Sequence, residues 1–197
     1  HKESDVSNEP DQGRRKVLIG LTTGFAAAGV AFAATPFVTT WNPSARAKAI
    51  GSAVKVDVSK MMVGQQIQVS WRKQPILIIR HSPSALSGLT SVISKLADPN
   101  SDSIDEPYKN INATRSLSSE YSVLSGVCTH LGCSPKYYPE VEPKPWDSSW
   151  EGGFFCPCHG SMFDLVGRVY KGVPAPTNLT VPPHFFEGSI LTIGEEA

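Results

Sequence analysis

Cys128-Thr129-His130-Leu131-Gly132-Cys133 and Cys156-Pro157-Cys158-His159-Gly160-Ser161 contain all four cysteines of this 197-residue chain. Each stretch offers one cysteine and one histidine at short spacing, C-x-H in the first and C-x-x-H in the second, and each holds one further cysteine. Two thiolates and two imidazoles on two short segments form a metal-binding donor set. The rest of the sequence supplies what such segments need: strands to carry them and a span to anchor the domain.

The donor set fits a centre of two irons and two sulfides, with both thiolates on one iron and both imidazoles on the other. Charge gives the reason for the mixture. Two ferric ions, two sulfides and two thiolates sum to zero, whereas four thiolates would leave the oxidised centre at minus two, so an incoming electron meets less repulsion. Reduction then places negative charge beside the imidazoles and raises their proton affinity. One electron and one proton can therefore leave a hydroquinone together. A structural zinc site can also use two cysteines and two histidines. However, C-x-H is an uncommon zinc spacing, and zinc would leave one cysteine in each segment without a role.

The boxes C-T-H-L-G-C and C-P-C-H-G-S, with the G-x-P-A-P segment from Gly172 to Pro176, resemble those of the Rieske iron–sulfur subunits of bacterial cytochrome bc complexes. The likeness extends to an amino-terminal anchor and a tether, and so covers nearly the whole chain. It implies one Rieske-type 2Fe-2S cluster held by Cys128, His130, Cys156 and His159, and a disulfide between Cys133 and Cys158. Such a bridge would lock the two cluster loops to each other, is worth about 3 to 4 kcal/mol in the chain-entropy model, and belongs in an oxidising compartment. By the same resemblance, Ser161 donates to a bridging sulfide. Leu131 and Gly132 sit beside the first histidine, the apolar Leu131 shielding the cluster and contacting the quinone pocket of a partner. Gly172 and Pro174 belong to a third loop packed over the cluster; read without the resemblance, they mark a tight turn. Phe163 departs from the pattern. Many high-potential members carry a tyrosine there whose hydroxyl donates to a ligand sulfur, so a lower potential is expected here.

The function this implies is that of the electron-transfer subunit of a quinol–cytochrome c oxidoreductase, a respiratory translocase. The cluster would take an electron from quinol bound at a cytochrome b subunit, with a proton leaving through His130 or His159. It would pass the electron to a c-type cytochrome subunit, contributing to proton translocation within a dimeric complex. The alternative is the Rieske subunit of an arsenite oxidase. A Rieske ferredoxin or oxygenase component generally lacks both the additional cysteine pair and the anchor. Net charge is zero and the sequence pI is about 7.1, which gives no basis for nucleic-acid binding. No phosphate loop or Ser/His/Asp order stands out. His1, His81 and His184 have no cysteine at ligand spacing and are expected to be surface or structural.

Residues 1–13 are polar and read as a cytoplasmic tail. Residues 14–41 read as a membrane anchor of twin-arginine type. Arg14-Arg15-Lys16 precedes an uncharged run from Val17 to Val38, about 33 Å long as a helix and matched to a hydrocarbon core of about 30 Å. Gly13 and Val17 stand where the fuller export motif prefers Ser/Thr and Phe. Positive charge at the amino end places that end in the cytoplasm and the head in the periplasm, across a bacterial inner membrane. Pro36 is expected to kink or end the helix. Gly20 and Gly24 form a G-x-x-x-G that suits close packing with another membrane helix.

Residues 42–52 lack an apolar face and read as a flexible tether. Residues 53–197 form the head, expected to be a mainly β, Rieske-type antiparallel sandwich with one helix insertion and a cluster subdomain over about 126–176. Strands are expected at Val54 to Val58, Gln65 to Trp71, Pro75 to Arg80, Tyr121 to Val127, Met162 to Tyr170 with a turn at Gly167, and Gly188 to Gly194. Ser84 to Leu96 carries a helical stripe of Leu86, Leu89, Val92, Ile93 and Leu96. Asp98 to Ser116 is polar and reads as a surface excursion. Pro135 to Gly153, with its prolines and aromatics, reads as an ordered cover.

Overall fold

The structure, a computed structural model, describes residues 11–44, 51–103, 108 and 111–196. It divides into two units, 1–48 and 49–197. The first is one helix, α1 (Gln12–Thr39), whose amino end is capped by the Asp11 carboxylate accepting from the Gly13 and Arg14 N–H groups. None of its side chains is buried, and it is long and apolar enough to cross a membrane. Pro36 does not stop it: the helix runs on to Thr39, and the Thr40 N–H still reaches the Pro36 carbonyl at 3.2 Å. Residues 45–50 of the expected tether lie outside the described residues, as do residues 1–10.

The second unit is built from three antiparallel three-stranded sheets. The first joins β1 (Val54–Asp57), β9 (Ile190–Ile193) and β8 (His184–Glu187). The second joins β2 (Gln66–Trp71), β3 (Gln74–Arg80) and β4 (Tyr121–Ser125). The third joins β5 (Lys136–Tyr138), β6 (Gly153–Phe155) and β7 (Met162–Phe163). Arg72 and Lys73 turn β2 into β3 with positive φ of 50° and 63°, as a two-residue hairpin requires. Arg72 stacks over the Trp71 ring at 4.4 Å.

β3 explains the layering. Ile76 and Ile78 face a core shared with Val58, Leu191 and Ile193, while Leu77 and Ile79 face a second core shared with Cys128, Phe154, Cys156 and Phe163. A strand covered on both faces needs an unbroken apolar run, which Ile76 to Ile79 supplies. β4 repeats the division with Val123 on the first side and Leu124 on the second. The middle sheet thus closes a sandwich against the first sheet and carries the cysteine loops on its other face.

Two local expectations need correction. The stripe from Ser84 to Leu96 is not one helix. It is α2 (Pro83–Gly88), capped by Ser82 Oγ accepting from the Ala85 N–H, followed by a 3-10 turn at Ile93–Lys95. Thr90 and Ser91 donate their hydroxyls to the Ser87 and Gly88 carbonyls, a local competitor to helix continuation. Leu89 packs with Leu165 and Val166, whereas Val92 and Leu96 pack with Trp150 and Tyr170, so the apolar residues serve two different cores. Ile93 points outward.

The excursion from Asp98 to Ser116 is not all surface. Ser101, Tyr108, Thr114, Arg115 and Ser116 are buried. The Arg115 guanidinium donates to the Val166 and Leu179 carbonyls at 2.9 and 2.8 Å. The Tyr108 hydroxyl donates to the His184 carbonyl at 2.6 Å and accepts from the His184 N–H. Polar groups can be interior when they are paired in this way.

Candidate metal centre

The two cysteine loops share one backbone frame. In the first, the Cys128 N–H donates to the Cys133 carbonyl at 2.8 Å and the Gly132 N–H to the Cys128 carbonyl at 2.9 Å. In the second, the Cys156 N–H donates to the Ser161 carbonyl at 2.8 Å and the Gly160 N–H to the Cys156 carbonyl at 2.9 Å. Gly132 and Gly160 close these turns at φ of 83° and 77°, a region open to glycine without strain. β4 leads into the first loop; β6 and β7 flank the second. Sequence spacing therefore becomes a pair of near-equivalent arches.

Burial divides the donors by type. Cys128 and Cys156 are the free cysteines among the described residues and both are 2% exposed. His130 is half-buried, His159 is exposed, and Leu131 at the apex is 72% exposed. The His130 and His159 rings meet edge to face with centroids 4.8 Å apart. Cys133 and Cys158 form a disulfide with a Cα–Cα distance of 6.6 Å, joining the two arches. The sulfurs of Cys133, Cys156 and Cys158 lie within 4.8 Å of one another. Two of the three are committed to the disulfide, so this trio is not a ligand set; only Cys156 in it retains a free thiol.

A 2Fe-2S cluster fits the residues present. His130 Nδ1 is buried and has no hydrogen-bond partner, an expensive state for an imidazole nitrogen unless it faces a ligand. Burial pushes the Cys128 thiol above its ordinary range. The neighbouring Cys156 adds to that rise, while the His130 backbone N–H and the Ser161 hydroxyl act against it. Two adjacent buried thiols ionise readily only beside positive charge, which iron provides.

A third loop completes the site. Ser161 is fully buried, and its Oγ accepts from the Ala175 N–H at 3.0 Å while its hydroxyl faces Cys128. Thr129 Oγ1 donates to the Thr177 carbonyl at 2.7 Å. Gly172 turns with φ of 73°, Ala175 is buried, and Pro174 is exposed. Phe163 is fully buried in the same apolar core as Cys128 and Cys156. The fold thus brings Cys128, His130, Cys156, His159, Ser161, Leu131, Gly132, Phe163, Gly172 and Pro174 into one region. Thr129 is a site residue that the sequence reading missed, and Ala175, read there only as part of the third loop, adds the backbone N–H that reaches Ser161. A threonine inside the first box was the one signal available, and nothing in the sequence marks a backbone amide.

Two buried free thiols beneath a half-buried and an exposed imidazole, on two matched loops, mark an iron–sulfur protein. Residues 52–183 match the family described as Rieske [2Fe-2S] domain, and residues 5–44 match the one described as Ubiquitinol-cytochrome C reductase Fe-S subunit TAT signal. The ubiquinol-cytochrome c reductase iron-sulfur subunit of Allochromatium vinosum is 48% identical, over 93% of this chain and 89% of that one. The subunit of the same name from Blastochloris viridis is 38% identical, over 95% and 96%. A solved structure titled Hyperthermophilic respiratory Complex III superposes with a TM-score of 0.50 at 26% identity, covering 89% of this chain and 98% of that one. The chain belongs to the Rieske family of ubiquinol-cytochrome c reductase iron-sulfur subunits. Its fold is the Rieske fold and its cofactor a Rieske-type 2Fe-2S cluster.

Proposed function

We propose that the chain is the electron-transfer subunit of a quinol–cytochrome c oxidoreductase, with cytochrome b and a c-type cytochrome as partner subunits. Cys128 and Cys156 would hold one iron of the cluster and His130 and His159 the other. When bound, the cluster supplies a one-electron acceptor. The observation that carries this reading is the arrangement of the residues, with buried sulfur behind and the paired rings of half-buried His130 and exposed His159 in front.

The chain's own groups set the chemistry at that apex. His159, exposed, and His130 beside it offer ring nitrogens where a quinol hydroxyl can hydrogen-bond and leave its proton. Leu131 projects between solvent and the loop interior and would exclude water once seated against cytochrome b. The Ser161 hydroxyl, fixed by the Ala175 amide, donates toward the sulfur side and favours added negative charge there. The Cys133–Cys158 bridge holds the two arches in register. Arg14, Arg15 and Lys16 at the amino end of α1 support a cytoplasmic amino terminus and a periplasmic head. In a dimeric complex two such subunits are expected.

The test is quinol to cytochrome c turnover in the purified membrane complex, with and without this chain. Turnover that is lost on its removal and restored on its return supports the reading. Co-purification with a molybdenum protein in place of cytochrome b would overturn it in favour of an arsenite oxidase-type enzyme.

A further inference from the structure

The third loop, residues 172–177, belongs to no strand, yet it positions the one amide that fixes the Ser161 hydroxyl. On its amino side, Lys171 is held by its N–H on the Lys95 carbonyl at 2.8 Å and by Nζ on the Ser94 carbonyl at 2.9 Å. On its carboxyl side stands Asn178, fully buried. Asn178 Oδ1 accepts from the Val169 N–H at 2.8 Å, and Nδ2 donates to the Asp98 carbonyl and to Ser101 Oγ, each at 2.9 Å. A backbone donor on one side and a carbonyl acceptor on the other leave only one amide orientation that satisfies both.

These partners come from rigid places. Asp98 and Ser101 belong to a turn closed by the Asp98 carboxylate, which accepts from the Asp102 and Ser103 N–H groups at 2.8 and 3.0 Å. Val169 bridges to Phe163 across the Gly167 turn. Asn178 therefore nails the end of the third loop to two elements outside the cysteine arches. Three residues earlier, Ala175 presents its N–H to Ser161. That bond occupies a lone pair of the Ser161 oxygen and leaves its single hydroxyl hydrogen available to donate on the Cys128 side.

We infer that Asn178 is a positioning residue for the electron-transfer centre: its buried amide sets the Ala175 N–H, and through it the Ser161 donor that stabilises the reduced cluster. This rests on the ligand reading given above. Losing the Asn178 clamp frees Ala175 to withdraw and the Ser161 hydroxyl to turn away. A hydrogen bond worth about 0.5–1.4 kcal/mol corresponds to a two- to tenfold change in the reduced-to-oxidised ratio, or roughly 20–60 mV for one electron.

The experiment uses the membrane complex carrying Asn178→Ala, and separately Ser101→Ala, which removes one acceptor of the Asn178 amide while leaving the third loop's own sequence intact. Iron and sulfide content, an EPR-monitored redox titration and amide exchange at Ala175 are measured on each. The expected result is retained iron, a potential lowered by a two- to tenfold ratio in Asn178→Ala, a smaller fall in Ser101→Ala, and faster Ala175 exchange in both. If Asn178→Ala does not assemble, Ser101→Ala decides alone. Retained iron with an unchanged or raised potential, or with parental protection at Ala175, overturns the assignment while leaving the ligand reading standing. A parent complex without iron overturns the ligand reading itself, and the assignment with it.

Discussion

Gly153 and Phe163 lie backbone against backbone: a Cβ at Gly153 would stand 2.1 Å from the Phe163 carbonyl oxygen and 2.9 Å from the Asp164 backbone. Gly153 also holds φ at 148°. This contact joins the strand entering the second cysteine loop to the strand leaving it, and neither backbone can move without opening the site. Gly153→Ala should cost about 3 kcal/mol or more, lowering the melting temperature by roughly 6–12 °C for a domain of this size. Gly188→Ala is the control. It has a φ of 62° with no atom near its Cβ and should lose only the left-handed backbone penalty of about 1–2 kcal/mol. Equal losses in the two variants would show that the close approach is unimportant.

Phe163 itself sits fully buried in the core that contains Cys128 and Cys156, with no hydroxyl to offer their sulfurs. Phe163→Tyr adds a donor. A hydrogen bond that strengthens on reduction and is worth about 1 to 1.4 kcal/mol raises a one-electron potential by roughly 40–60 mV. Redox titration of the variant complex checks this, and a potential that stays level or falls would refute it.

What the sequence disclosed follows physical range. The donor set was legible because its residue types and spacing are local, and the unbroken Ile76 to Ile79 run because burial on both faces leaves no polar alternation. The buried part of the excursion was not. Tyr108, Arg115 and Ser116 read as surface by composition, and only partners more than fifty residues away, Val166, Leu179 and His184, make them interior. The stripe from Ser84 to Leu96 kept its apolar residues but not its helix, because the neighbours that bury Leu89 differ from those that bury Leu96. Thr129 and Asn178 matter through carbonyls and amides, which no side-chain pattern records.

Stability should fall with acid through two buried histidines. Burial pushes both His81 and His184 from the ordinary 6.5 down to about 4. His184 Nδ1 donates to the Pro182 carbonyl, so its Nε2 accepts from the Ser116 hydroxyl at 2.8 Å. Ser122 gives its hydrogen to the Thr114 carbonyl, so His81 Nε2 is the donor to Ser122 Oγ. The fold therefore prefers both rings neutral. Between pH 6.5 and 4 the unfolded chain binds more protons than the folded one, so stability is full above 6.5 and is lost as pH falls toward 4. The loss is on the order of 3 kcal/mol per ring. Urea unfolding at pH 7 and pH 5 captures about 2 kcal/mol of it per ring. His81→Gln should reduce the difference between the two pH values, and an undiminished difference would exclude His81 as a source.

Cys133 and Cys158 close a span of 25 residues between the two arches. In the chain-entropy model a span of that length contributes about 3–4 kcal/mol, mostly by restricting the unfolded chain. The double variant Cys133→Ala, Cys158→Ala should therefore unfold at lower urea concentration by that amount. Its arches are held together by fewer constraints, so iron should also leave it faster under a chelator. Cys158 is exposed and Cys133 half-buried, so a thiol reductant can reach the bridge in the folded protein, and the reduced parent should match the double variant in both measurements. A parent that keeps its urea midpoint and its iron after demonstrated reduction of the bridge would mean that the backbone frames of the two loops hold the centre without it.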